Sequence, residues 1–178
     1  MNRKEFARRR KTLMRMVGED GIAILPSAPV RTRSRDVEYR FRQDSDFYYL
    51  TGFAEPDAVA ILAPGRDNGE YLLFCRERDR KKEQWDGSRA GPDGAVEDYE
   101  ADDAFPIDDI DDILPGILET RNRVYYTMGA YSDFEHRLTE WVKSLKNRES
   151  SGGQPPPEIV ALDHVLHDMR LYKRRAEL

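Results

Sequence analysis

The sequence is poor in the residues that most often carry out covalent and metal chemistry. Its 178 residues include a single cysteine, Cys75, and three histidines. A lone cysteine excludes an intrachain disulfide and favours a reducing compartment. Cys75 closes an apolar run and has no histidine near it in sequence, so we expect a buried core thiol and not a nucleophile.

Long apolar runs are also absent. No segment approaches the roughly twenty apolar residues that a membrane-spanning helix needs. Residues 1–17 are rich in arginine and lysine but lack the apolar stretch of a signal peptide. We therefore expect a soluble, cytoplasmic protein with no membrane partner.

The common catalytic motifs are missing too. The sequence has no G-x-S-x-G, H-E-x-x-H, Walker loop, G-x-G-x-x-G or paired-cysteine zinc site. His164 and His167 have the spacing of a helical metal site, with Asp163 and Asp168 beside them. Two imidazoles without a third ligand make a weak candidate. On its residues alone, the chain is not a self-sufficient enzyme.

The charge is acidic overall but unevenly distributed. A net charge of -5 argues against nucleic acid or an anionic membrane as the main partner. Residues 1–45 contain twelve Lys and Arg residues and six Asp and Glu residues. Residues 93–120 contain eleven Asp and Glu residues and no Lys or Arg. Such a bipolar molecule can associate head to tail, although two solvated faces are the simpler interpretation.

Hydrophobic spacing in the first half predicts helices alternating with strands. A first helix is expected to begin at Asn2, where Glu5 completes a capping box, and to end at Gly18. Asn68-Gly69 predicts a hairpin turn between two of the strands. The predicted strands are residues 21–25, 58–63 and 71–75.

The second half continues the alternation, which predicts an α/β domain with a mixed sheet. Residues 107–118 predict an amphipathic helix that Pro115-Gly116 kinks or splits. A strand at 123–127 precedes a helix that Ser132 and Glu135 are expected to cap, and residues 158–178 predict a short final helix. The aspartates of the first of these helices suit a helix N-terminus better than a calcium loop: Asp108, Asp109, Asp111 and Asp112.

Residues 76–103 are polar and rich in glycine and aspartate, which predicts a long loop. Trp85 lies near its centre, close to Gly87. A tryptophan flanked by glycine and charge either covers a sheet edge or is displayed to a partner, as aromatic hot-spot residues are. The residues leave both interpretations open.

The most distinctive stretch is residues 39–53, which combine aromatic and charged side chains. From Asp46 onward it predicts a loop that runs into a short strand and stops at Gly52, with Phe47 and Tyr49 on one face. Arg42 is expected to pair with a nearby carboxylate, Asp44 or Asp46.

Residues 35–39 and 41–56 resemble the N-terminal domain of bacterial aminopeptidase P, the Xaa-Pro aminopeptidase of the creatinase/prolidase superfamily. The resemblance continues around Arg78-Asp79, Trp85 and Gly87, and again at residues 167–173 and 177–178. It therefore covers nearly the whole chain. The diversity of the matching residues makes the first stretch far more specific than a short motif.

The resemblance implies a creatinase N-terminal, ribonuclease H-like fold with a six-stranded mixed sheet over residues 1–170. Residues 171–178 would then begin the linker into a pita-bread metallopeptidase domain that holds two manganese ions. Residues 174–176 depart from the family's pattern at this junction. In the family the catalytic residues and the metal ligands belong to that following domain, so they are expected beyond this sequence. His164 and His167 do not match the family's ligands.

The resemblance also implies roles for the domain. In the family it mediates oligomerisation, as a dimer or tetramer, and restricts access to the active site. Trp85 would reach a neighbouring subunit's active site and pack against a peptide with proline second, and Asp36 would belong to the same site. The alternative is a non-catalytic peptide- or histone-binding module, because the FACT histone chaperone uses this fold without catalysis.

Overall fold

The computed structural model describes residues 3–34 and 37–171. Within these ranges no helix is both long enough and apolar enough to cross a membrane. In chain order the elements are α1 (Arg3–Val17), β1 (Gly21–Pro26), β2 (Thr32–Ser34), β3 (Val37–Glu38), α2 (Ser45–Thr51), β4 (Val59–Leu62), β5 (Tyr71–Cys75), α3 (Arg80–Asp86), α4 (Gly91–Tyr99), β6 (Asp103–Pro106), α5 (Ile110–Leu118), β7 (Arg123–Tyr126), α6 (Ser132–Asn147), β8 (Glu158–Ala161) and α7 (Leu162–Leu171).

Six strands form one mixed sheet in the order β6-β5-β4-β1-β7-β8, and β2 pairs with β3 separately. β1 is antiparallel to β4 and parallel to β7, and β4 and β5 form the predicted hairpin. The two edge strands pair in parallel, β6 with β5 and β8 with β7. The predicted α/β fold with a six-stranded mixed sheet is confirmed.

The sheet separates two layers of core. Ala23 and Leu25 of β1 face α1, α2, α4 and α7, whereas Ile22 and Ile24 face α5 and α6. Successive side chains of a strand point to opposite faces, so a strand covered on both sides must be apolar at every position. The apolar runs in the sequence therefore mark the central strands.

Residues 45–51 form helix α2, so the predicted strand at this position is wrong. The Asp44 carboxylate accepts hydrogen bonds from the backbone N–H groups of Asp46 and Phe47, both at 2.9 Å, which begins the helix. Gly52 ends it with a φ of 68°. Phe47 and Leu50, three positions apart, enter the core together. The aromatic content of the stretch favoured a strand, but the caps at both ends decide for a helix.

The expected pairing of Arg42 is wrong as well. Asp46 forms an ion pair with Arg170 of α7, and Asp44 caps α2 and accepts a hydrogen bond from Tyr131. Both carboxylates therefore bind residues that are distant in sequence, Arg170 and Tyr131, and not Arg42.

The predicted long loop at 76–103 is also wrong, because it contains α3 and α4 and ends at the first residue of the edge strand β6. Asp79 caps α3 by accepting from the backbone N–H groups of Lys81 and Lys82, at 3.0 and 3.3 Å. Pro92 lies in the first turn of α4, where its missing N–H costs nothing. β6, and β8 near the end of the chain, are four-residue edge strands without a clear alternating pattern.

Three smaller expectations concern helix ends. α5 continues past Pro115 to Leu118 without splitting, and its Ile110, Leu114 and Leu118 are buried. α6 begins after Tyr131 with no side-chain cap, and the Glu135 carboxylate instead accepts from the backbone N–H of Gly129. The predicted cap at Asn2 lies outside the described residues.

Candidate functional site

The exposed indole of Trp85 is the most conspicuous feature of the surface. We define the arm as residues 76–90, which leave the sheet after β5, form α3 and return at the start of α4. Trp85 lies on α3 and is 89% exposed. This exposure excludes the interpretation that Trp85 covers a sheet edge. The remaining interpretation from sequence is display to a partner.

The local sequence determines the shape of the arm. The backbone N–H groups of Lys82 and Lys81 bind the Asp79 carboxylate and hold its pKa below the ordinary value. At the other end, the backbone N–H of Gly87 donates to the Glu83 carbonyl. Gly87 has a φ of 87°, a left-handed conformation that favours glycine. These two caps make α3 a seven-residue helix with Trp85 in its last turn.

Glu55 holds the base of the arm. Its Oε1 accepts from the backbone N–H of Ala90 at 2.8 Å, and its Oε2 lies 3.3 Å from a guanidinium nitrogen of Arg76. Arg89, which is buried, donates to the Glu77 carbonyl at 3.4 Å. Sequence reasoning missed Glu55, because no spacing rule links a carboxylate to residues 21 and 35 positions further along the chain.

A second polar region adjoins the N-terminus of α2. A surface cavity of ≈ 340 Å³ is lined in part by Arg31, Arg40 and Arg42. At its wall the Tyr131 hydroxyl donates to Asp44 Oδ2 at 2.9 Å. Burial, followed by this hydrogen bond, raises the pKa of Tyr131. Asp36, the second predicted site residue, lies outside the described residues.

Cys75, His164 and His167 are the candidates for chemistry that the sequence places within the described residues. Burial, followed by the charge of Glu55, raises the pKa of the Cys75 thiol to about 12, so the thiolate nucleophile is scarce at neutral pH. His164 and His167 are exposed on α7. Across residues 3–34 and 37–171, no three His, Cys, Asp or Glu side chains come together in a group that could hold a metal ion. These residues therefore do not fit a manganese pair.

A family model described as aminopeptidase P, N-terminal domain, matches residues 6–125. The chain belongs to this family. Aligned over its full length, the aminopeptidase P domain is 35% identical to Xaa-Pro aminopeptidase of Escherichia coli (strain K12) and 32% identical to Xaa-Pro aminopeptidase 3 of Rattus norvegicus. The structure of Pseudomonas aeruginosa aminopeptidase PepP matches 98% of the chain with 60% identity and a TM-score of 0.96.

The aminopeptidase P domain is shorter than the proteins it matches. It covers 41% of the Escherichia coli protein, 37% of the rat protein and 40% of the Pseudomonas chain. The resemblance seen in the sequence is thus confirmed, and the chain corresponds to the N-terminal domain. The boundary at residue 170 stays a prediction, since α7 reaches Leu171 and the following residues lie outside the described ranges. The roles of Trp85 and Asp36 also stay predictions.

Proposed function

We propose that this chain is the non-catalytic N-terminal domain of a manganese-dependent Xaa-Pro aminopeptidase, which removes the first residue of peptides that carry proline second. The names of its relatives and its share of their length support this assignment. The two manganese ions, which activate water for peptide hydrolysis, would be held by a C-terminal domain. The single buried cysteine supports a reducing compartment, and we place the enzyme in the cytoplasm.

The exposure of Trp85 is the observation that carries the domain's own role. A fully displayed indole is a rigid, flat, apolar surface that complements a proline ring at little cost in conformational entropy. In a homo-oligomer, either dimer or tetramer, Trp85 of one subunit contacts the substrate in a neighbouring active site, with Asp36 nearby. The domain thereby binds and orients the peptide and narrows the entrance, while the chemistry occurs elsewhere.

Replacing Trp85 tests this role in the full-length enzyme. Trp85→Ala is expected to lower kcat/KM for a Lys-Pro-Pro peptide by about tenfold or more, the loss typical of a hot-spot tryptophan. Metal content and oligomer size are expected to stay at wild-type values. Steady-state kinetics, metal analysis and gel filtration measure the three quantities.

Met128→Ala is the matched control, since Met128 is 56% exposed but lies outside the arm. It is expected to leave kcat/KM unchanged, and Trp85→Phe is expected to retain most of the activity because it keeps an aromatic face. Wild-type kinetics for Trp85→Ala would contradict the proposed contact.

A further inference from the structure

Helix α3 has little along its own length to hold it in place. Only Glu83 among its described side chains is partly buried, and Trp85 and the adjacent Gln84 are exposed. Glu83 pairs at 3.4 Å with Arg78, which belongs to the same arm. A helix of seven residues is too short to be stable by itself in water. The orientation of Trp85 must therefore depend on how the two ends of the arm are fixed.

The Glu55 carboxylate contacts both ends of the arm. Arg76 is the first residue of the arm and Ala90 is the last, and Glu55 binds the side chain of the former and the backbone N–H of the latter. Glu55 belongs to neither end, because it lies between α2 and β4. It therefore joins two points 14 residues apart in the chain and closes the arm into a loop with a fixed base.

The base is sheltered from solvent. The side chains of Arg76 and Glu55 are 15% and 16% exposed, so water screens their attraction less than it screens a surface ion pair. Arg76 Nε is buried and has no hydrogen-bond partner in the described part of the chain. Among the described ion pairs, Arg76 takes part in the one with Glu55, which therefore supplies its counter-charge.

Glu55 is itself fixed by Gln43. The Gln43 amide donates to the carbonyl oxygens of Glu55 and Phe53, at 2.8 and 3.3 Å. The Gln43 oxygen accepts from the backbone N–H groups of Ala28 and Asp44. Through Gln43, the backbone of Glu55 is hydrogen-bonded to Phe53, Ala28 and Asp44. This network restricts the movement of Glu55 and therefore of the base of the arm.

We infer that Glu55 is a positioning residue: it fixes the base of the arm and so sets where Trp85 points. The kinetic consequence of this inference rests on the proposed function, whereas the structural consequence does not. Loss of the Glu55 carboxylate should free the arm without changing the fold of the sheet.

Limited proteolysis of the full-length enzyme measures this freedom directly. Trypsin cleaves after Arg80, Lys81 and Lys82, which all lie exposed on α3. Loss of a charge-assisted hydrogen bond predicts cleavage about tenfold faster at these sites in Glu55→Ala. Glu55→Gln is expected to be intermediate, because its amide oxygen still accepts from Ala90 but no longer carries charge.

Glu70→Ala is the control for this experiment. The Glu70 carboxylate also accepts from a loop N–H, that of Gly65, but has no contact with the arm in the described hydrogen bonds. Its cleavage rate at α3 is expected to equal that of the wild type. Unchanged cleavage in Glu55→Ala, or equally faster cleavage in Glu70→Ala, would overturn the inference.

Kinetics separate positioning from general stability. Glu55→Ala is expected to lower kcat/KM by about tenfold through misplacement of Trp85, and to have no further effect in a Trp85→Ala background. An equal loss in both backgrounds would overturn positioning through Trp85. If Trp85→Ala alone shows wild-type kinetics while Glu55→Ala is cleaved faster, the proposed substrate contact fails and the anchoring of the arm by Glu55 stands.

Discussion

Gly52→Ala is expected to destabilise the 178-residue chain by about 2–5 kcal/mol, because two penalties combine at one position. Gly52 has a φ of 68°, a conformation in which an L side chain is strained. A Cβ there would lie 2.6 Å from Cε2 of Phe6. The Phe6 ring is packed edge-on against Tyr48, with 6.0 Å between the ring centroids, and Phe6 is only 9% exposed. Urea unfolding followed by circular dichroism measures the loss.

Gly129→Ala separates the two penalties. Gly129 has a φ of 89°, but no neighbouring atom lies within 4 Å of the position that a Cβ would occupy. Its substitution is therefore expected to cost only the backbone strain, about 1–2 kcal/mol. Equal losses at Gly52 and Gly129 would show that the contact with Phe6 contributes nothing, contrary to the packing described for α1 and α2.

Asp44→Ala is expected to lower the free energy of unfolding by about 2–4 kcal/mol, because it removes the N-cap of α2 and leaves the Tyr131 hydroxyl without its acceptor. Asp44 Oδ1 accepts the first backbone N–H groups of α2, and Oδ2 accepts from Tyr131 near the start of α6. One carboxylate thus joins helices on opposite sides of the sheet. The free energy of unfolding in urea tests this loss.

Asp44→Asn is the matched variant, because asparagine is an equally good N-cap and, with its Oδ1 on the backbone N–H groups of α2, its Nδ2 amide can donate to the Tyr131 hydroxyl oxygen. It is expected to lose much less stability than Asp44→Ala. In a double-mutant cycle, Tyr131→Phe should cost less in the Asp44→Ala background than in the wild type. Additive losses would contradict the coupling between the two helices.

The central strands and the longer helices could be predicted because their burial leaves a pattern in the sequence. β1, β4 and β5 are covered on both faces and are apolar throughout, and α6 repeats its buried residues with helical spacing. The edge strands β6 and β8 could not be predicted, because they are only four residues long and their side chains are only partly buried or exposed. The aromatic residues of α2 favour a strand by propensity, whereas its caps at Asp44 and Gly52 determine a helix.

The candidate site could be predicted in part. Trp85 was recognisable because a tryptophan among glycine and charged residues has no place in a core pattern. Glu55 was not recognisable, since its role depends on the fold bringing Arg76 and Ala90 together. Local sequence patterns can identify an exposed residue such as Trp85. They cannot identify the residues that position it, because those residues are distant from it in sequence.

The most direct test of the account compares the 178-residue chain with the full-length enzyme in the presence of added Mn²⁺. The measurement is release of the N-terminal lysine from a Lys-Pro-Pro peptide. We expect turnover by the full-length enzyme and none by the chain alone, because the proposed function assigns the manganese ions to a C-terminal domain. Turnover by the purified chain would contradict the account.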